Sequence, residues 1–81
     1  MEDIKIGEKD LRNYVIACTR GLSNNEDGIR VLARGSHIKK AIDTAEIVKR
    51  EIQDIESTVA IYSEKFDERY VSSIEILLKS E

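Results

Sequence analysis

The apolar residues of this 81-residue chain change their spacing four times along its length, and that alternation limits the folds open to it. Ile4 and Ile6 flank Lys5 with a period of two, a short half-buried strand that Gly7 ends. Asp10 then stands as an N-cap before Leu11, Tyr14, Val15, Cys18 and Leu22, which fall on one helical face. Gly21 and the polar run from Ser23 to Gly28 are expected to stop that helix in a turn. From Ile29 to Arg34 the period returns to two, with Ile29, Val31 and Ala33 on one side of a strand and Arg30, Leu32 and Arg34 on the other. Gly35 breaks this strand, and Ser36 is placed to cap a second helix. That helix carries Ile38, Ala41, Ile42, Ala45, Val48 and Ile52 and reaches to about residue 53. Residues 55–79 read as two long strands joined by a charged turn without glycine. Val59, Ile61 and Tyr62 lie in the first strand, and Val71, Ile74, Ile76, Leu77 and Leu78 in the second.

The order β-α-β-α-β-β predicts an α/β two-layer sandwich, with both helices on one face of a mixed four-stranded sheet. Residues 1–81 are expected to form a single domain. A chain this short buries only about 60% of its unfolded surface, so a dimer is expected on stability grounds alone. No apolar run approaches the roughly 18 residues of a membrane span, and the N-terminus lacks a signal pattern. A cytoplasmic protein is the expectation.

One cysteine, Cys18, and one histidine, His37, exclude an intrachain disulfide and a Cys or His zinc cluster. Cys18 lies on the apolar helical stripe and reads as an inert core residue, Tyr14 as core or dimer contact. No phosphate-binding loop, dinucleotide fingerprint or paired His-Glu zinc motif is present, so neither an enzyme nor a cofactor is expected.

A net charge of −3 argues against a strongly basic DNA condenser, but the charge is unevenly spread. Residues 35–50 carry four cations against two acids, and residues 51–81 carry three against eight. Screening limits what a ligand feels to about 8 Å, so local charge counts for more than the sum. Arg34, Ser36, His37, Lys39 and Lys40 form the strongest candidate patch. Gly35 permits close backbone approach there, and unpaired helix N–H groups suit an anion. Lys39 and Lys40 lie in the first helical turn, where cations oppose the dipole and structure alone would place acids. His37 is either a phosphate donor or a solvated or capping residue. Lys9 and Arg12 meet phosphate at the entry to the first helix, or are solvated surface charge. Asn13 either bonds a phosphate or sugar or supports the turn. Lys65 and Arg69 flank Phe66 at the hairpin tip, an arm suited to a minor groove or a plain turn with Phe66 folded onto the sheet.

These residues also resemble a family. Ile6-Gly7-Glu8-Lys9 followed by Asn13-Tyr14-Val15 is similar to the Alba pattern of Ile-Gly-Lys-Lys-Pro and Asn-Tyr-Val. Ala33-Arg34-Gly35, then Ile38, Lys40-Ala41, Asp43 and Glu46-Ile47-Val48, resembles its second core motif, and Ser72-Ser73-Ile74-Glu75-Ile76 its closing strand. The resemblance implies the fold of the C-terminal domain of bacterial initiation factor three, in the order derived above. It implies a homodimer or heterodimer that binds double-stranded DNA, and often RNA, without strong sequence preference. The paired lysines before the first helix would contact the backbone, and one hairpin arm per subunit would reach the minor groove. Here that lysine pair is Glu8-Lys9, the proline is Asp10, and Ser36 stands where the family has arginine. Arg12 occupies an apolar family position, and Ile52 stands where an aromatic is often found.

Three functions follow. The first is backbone-dominated binding of DNA, RNA or both in chromatin organisation, which places the protein at the chromosome. The second is a diverged acidic subunit that pairs with a basic Alba paralogue and modulates its DNA coverage; Glu8 and Asp10 favour it. The third is an RNA-binding accessory role of the ribonuclease P type.

Overall fold

The computed structural model describes residues 1–81. Strand β1 (Glu2–Lys5) leads into helix α1 (Leu11–Asn24), strand β2 (Ile29–Arg34) and a single 3₁₀ turn (Gly35–His37). Helix α2 (Ile38–Glu51) and the long strands β3 (Ile55–Phe66) and β4 (Arg69–Ser80) complete the chain. The sheet runs β1-β2-β4-β3, with β1 parallel to β2 and the other pairs antiparallel. A parallel neighbour requires a crossover, and α1 supplies it.

Strand alternation divides the sheet into two faces. On one face Ile29, Val31 and Ala33 stand opposite Leu78, Ile76 and Ile74, and Ile4 opposite Val31. These side chains are buried under Tyr14, Cys18 and Leu22 of α1 and Ala41, Ala45 and Val48 of α2. Both helices therefore lie on that face, as the periodicities require. The other face is open, and charge pairs cross it. Arg30 grips Asp3 through two bonds of 2.8 and 2.9 Å and reaches Glu75 at 3.0 Å. Arg30 holds the Asp3 carboxyl below its ordinary range.

Four local expectations change. Gly21 does not stop α1, which continues to Asn24. A methyl there would come within 2.9 Å of the Ile29 side chain, so Gly21 serves close approach of helix to sheet. Asp10 occupies the N-cap position, but its side chain makes no capping bond. Ser36 lies inside the 3₁₀ turn, and His37 precedes α2 without a side-chain cap. Ile42 leaves the buried stripe and is 41% exposed, while Thr44 is fully buried, with its hydroxyl on the Lys40 carbonyl at 2.7 Å. At 100° per residue positions 41, 44, 45 and 48 share one face, which takes in Thr44 and leaves Ile42 outside it.

The hairpin turn pairs Phe66 with Arg69 and leaves Asp67 and Glu68 as its two central residues. Asp67 takes φ of 55°, a position that glycine usually fills in such turns. Because β2 ends at Arg34 opposite Ser73, the hairpin from Ser63 to Ser72 projects past the rest of the sheet. Four residue pairs at about 3.4 Å each make an arm roughly 13 Å long.

Candidate functional site

The topology gathers the candidate residues at one end of the molecule. β1 and β2 are parallel and each is followed by a helix, so α1 and α2 both begin where those strands finish. β3 pairs antiparallel with β4, which pairs antiparallel with β2, so the hairpin turn lies at that same end. Lys9, Arg12 and Asn13, the segment Arg34–Lys40, and Lys65 with Arg69 thus converge from three separate stretches of chain. The Met1 amino group bonds Asp27 and the Glu81 amide bonds the Asp54 carbonyl, which places both termini at the opposite end. Glu26, Glu51 and Glu56 go with them, while Glu8, Asp10, Glu64, Asp67 and Glu68 stand among the cations at the candidate end.

The loop from Gly7 to Asp10 is held by two side chains. The Tyr14 hydroxyl accepts from the Gly7 amide at 2.8 Å and the Lys9 amide at 3.1 Å. The Lys40 ammonium donates to the Gly7 carbonyl at 3.0 Å and the Lys9 carbonyl at 2.7 Å, and lies over the Tyr14 ring at 5.8 Å. Four backbone groups of one exposed loop are satisfied by a residue of each helix, which presents the Lys9 side chain outward. Lys40 is therefore at the predicted surface, but its charge is committed to the loop.

The other cations of that segment also have internal partners. Arg34 Nε donates to Glu64 at 3.0 Å, and its guanidinium stacks 5.0 Å from the Phe66 ring centroid. Phe66 thus folds back toward the sheet, 39% exposed. His37 lies 3.2 Å from Glu8. Lys39 bonds Asp43 one turn along α2 at 2.8 Å, and this bond raises the Lys39 pKa. Lys9, Arg12, Asn13 and Arg69 are exposed with no internal side-chain partner, and Lys65 lies only over the Tyr70 ring at 5.9 Å. Ser36 is exposed on the 3₁₀ turn between the two groups. No acid stands in the first turn of either helix, and neither helix has a side-chain cap. The Asn13 N–H bonds the Asp10 carbonyl at 3.0 Å and the Ile38 N–H bonds the Gly35 carbonyl, so the N–H groups left for a ligand are those ahead of these two residues.

Beside the patch, on the open sheet face, is a recess of about 350 Å³ lined by Lys5, Arg34, His37, Tyr62 and Ser73 among others. None of Lys5, Tyr62, Glu64 and Ser73 is among the candidate site residues that the sequence suggests. Period two alone puts Lys5 and Arg34 on matching sides of their strands, but bringing Tyr62 and Ser73 beside them requires the β3–β4–β2 register. Elsewhere, Cys18 is fully buried, and burial, with a smaller effect of Glu2, pushes its thiol up to about 12. It is unreactive core. No helix is long and apolar enough to cross a membrane.

Residues 2–65 match the family model described as Alba. The protein named DNA/RNA-binding protein Alba in Methanocella arvoryzae is 40% identical, over 94% of this chain and 86% of its own length. The protein of the same name in Picrophilus torridus is 41% identical, covering 93% and 91%. The solved structure of Alba from Thermoplasma volcanium superposes with a TM-score of 0.76 at 35% identity, covering 95% of this chain and 98% of that one. ALBA1 from Trypanosoma brucei gives a TM-score of 0.83 at 20% identity over 96% and 68%, a likeness of fold. With a family model over most of its length and relatives of this similarity on both counts, the chain belongs to the Alba family.

Proposed function

We propose that the protein is a dimeric nucleic-acid-binding protein that grips the phosphate backbone of duplex DNA or structured RNA, with no catalytic role. The observation that carries this reading is the convergence of two uncapped helix N-termini, a glycine junction and a projecting hairpin at one end of the molecule. Helix N-termini attract phosphate through open N–H groups and the macrodipole. Lys9 and Arg12 beside α1 are the free cations of the first contact, and Lys65 and Arg69 on the arm those of the second. Arg34, Ser36, His37, Lys39 and Lys40 line the ground between them, with Asn13 as a neutral donor. The relatives named for DNA and RNA binding support the same ligand class, and chromosome association in the cytoplasm follows from it.

The dimer rests on a separate feature. Val59 and Ile61 of β3 face the helix side of the sheet but lie beyond the cover of α2, 54% and 68% exposed. With Ile42 they make an apolar strip beside an unpaired sheet edge, the kind of surface a second copy covers. Two copies bring two patches and two arms to one duplex.

The test is a titration of labelled duplex and structured RNA at several salt concentrations. About four to six phosphate contacts per dimer give log K against log salt a slope of about −3.6 to −5.4 on duplex DNA. K9E and R12E should each weaken binding to all sequences alike and flatten the slope. Binding that survives both changes refutes this site.

A second reading is favoured by the internal partners of Arg34, His37, Lys39 and Lys40. Each weakens the patch of an isolated copy, as expected of an acidic subunit that acts with a basic Alba paralogue. Adding such a partner to the titration distinguishes the two, and the RNA arm tests an accessory role of the ribonuclease P type.

A further inference from the structure

We propose that the base of the hairpin arm holds a built anion site whose present occupant is the protein's own Glu64, and that a backbone phosphate must displace this carboxylate to engage Arg34. The inference rests on the nucleic-acid reading above and adds a regulatory contact to it. One oxygen of Glu64, Oε2, accepts from Arg34 Nε at 3.0 Å and from the Ser73 hydroxyl at 2.8 Å. Ser73 is only 2% exposed, so its hydroxyl is a buried donor with no other partner and is costly to leave empty. Phe66, two residues along the same strand, has its ring centroid 5.0 Å from the Arg34 guanidinium, a second contact on a side chain that is otherwise 62% exposed. Arg34, the buried Ser73 and the unpartnered Lys5 line one recess large enough for a phosphate.

The chemistry of the exchange is balanced. A phosphodiester and a carboxylate each bring one negative charge and acceptor oxygens of similar reach, so the phosphate can take over both donors. The carboxylate is tethered by the sheet and is always present at high local concentration. It therefore acts as an internal competitor that weakens binding without changing the fold. Because Glu64 lies where the arm leaves the sheet, its release removes one of the two contacts between Arg34 and the arm, and the Phe66 contact remains.

The test measures binding of a labelled 20-base-pair duplex by anisotropy for wild type, E64Q, E68Q, R34Q and the E64Q/R34Q double variant. Glutamine keeps the shape and the acceptor oxygen of Glu64 but loses the charge. Glu68, in the turn, offers the same charge change away from Arg34. E64Q is expected to bind about two- to fivefold more tightly than wild type, the size of a lost half-exposed ion pair. E68Q should change binding less, and the E64Q gain should vanish when Arg34 is also replaced. An equal gain from E68Q, or a gain that persists without Arg34, overturns the competitor. Failure of wild type and E64Q alike to bind duplex or structured RNA at low salt instead overturns the nucleic-acid reading, and the competitor with it.

Discussion

Tyr14→Phe isolates the hydroxyl that organises the loop ahead of α1. The ring remains, so its place in the core and its contact with the Lys40 ammonium at 5.8 Å are retained. What is lost is an acceptor for the amides of Gly7 and Lys9, bonded at 2.8 and 3.1 Å. A buried donor left without a partner costs about 1–3 kcal/mol. Both bonds are part-buried, so water restores the two amides only in part. The expected loss is therefore about 1–2 kcal/mol, toward the lower end. For a domain of this size each kcal/mol lowers Tm by about 4–8 °C. Denaturant unfolding and calorimetry measure it, and amide exchange at Gly7 and Lys9 should speed up while exchange in β2 keeps pace with global stability. Lys40 still holds both carbonyls, so the loop should loosen but not detach. A change below about 0.5 kcal/mol, the level of an ordinary surface substitution, with unaltered exchange would refute the assignment.

Other perturbations test the remaining parts. The raised pKa of Cys18 favours the thiol in the folded state, so its stabilising effect is complete below the unfolded value near 9.0 and is lost as pH rises toward about 12. Stability of the wild type should fall by up to about 1.4 kcal/mol per pH unit in that window, and C18A should lack this component. Gly28 has φ of 96°, and a methyl there would run into the Leu78 carbonyl, so Gly28→Ala should cost at least about 1–3 kcal/mol in denaturant unfolding. Ile61→Asp puts a charge in the exposed apolar strip, and sedimentation should show a dimer becoming a folded monomer. K9E and R12E should weaken duplex binding without lowering Tm, since neither side chain has an internal partner.

The element order, the sheet's buried face and the inertness of Cys18 were legible in the residues themselves. Spacing of two or of three and four is a local property, and burial of one face follows from it without knowledge of the partner element. The family resemblance was legible for the same reason, since its motifs are short runs such as Ala33-Arg34-Gly35. Local capping was read less well. Asp10 and Ser36 are residue types that favour caps, yet neither makes the bond, because the 3₁₀ turn and the loop tied to Tyr14 set the backbone there. Gly21 looked like a helix stop because its contact with Ile29 lies in another element.

The chain alone determined which residues carry charge and that they cluster near two helix starts and a hairpin. Only the tertiary structure decided which of those charges are available. Lys40 is committed to the Gly7 and Lys9 carbonyls and Arg34 to Glu64, partners 31 to 33 and 30 residues away in sequence. Ion pairing depends on distances of a few ångströms between side chains that the sheet register brings together, and no one-dimensional pattern encodes that register.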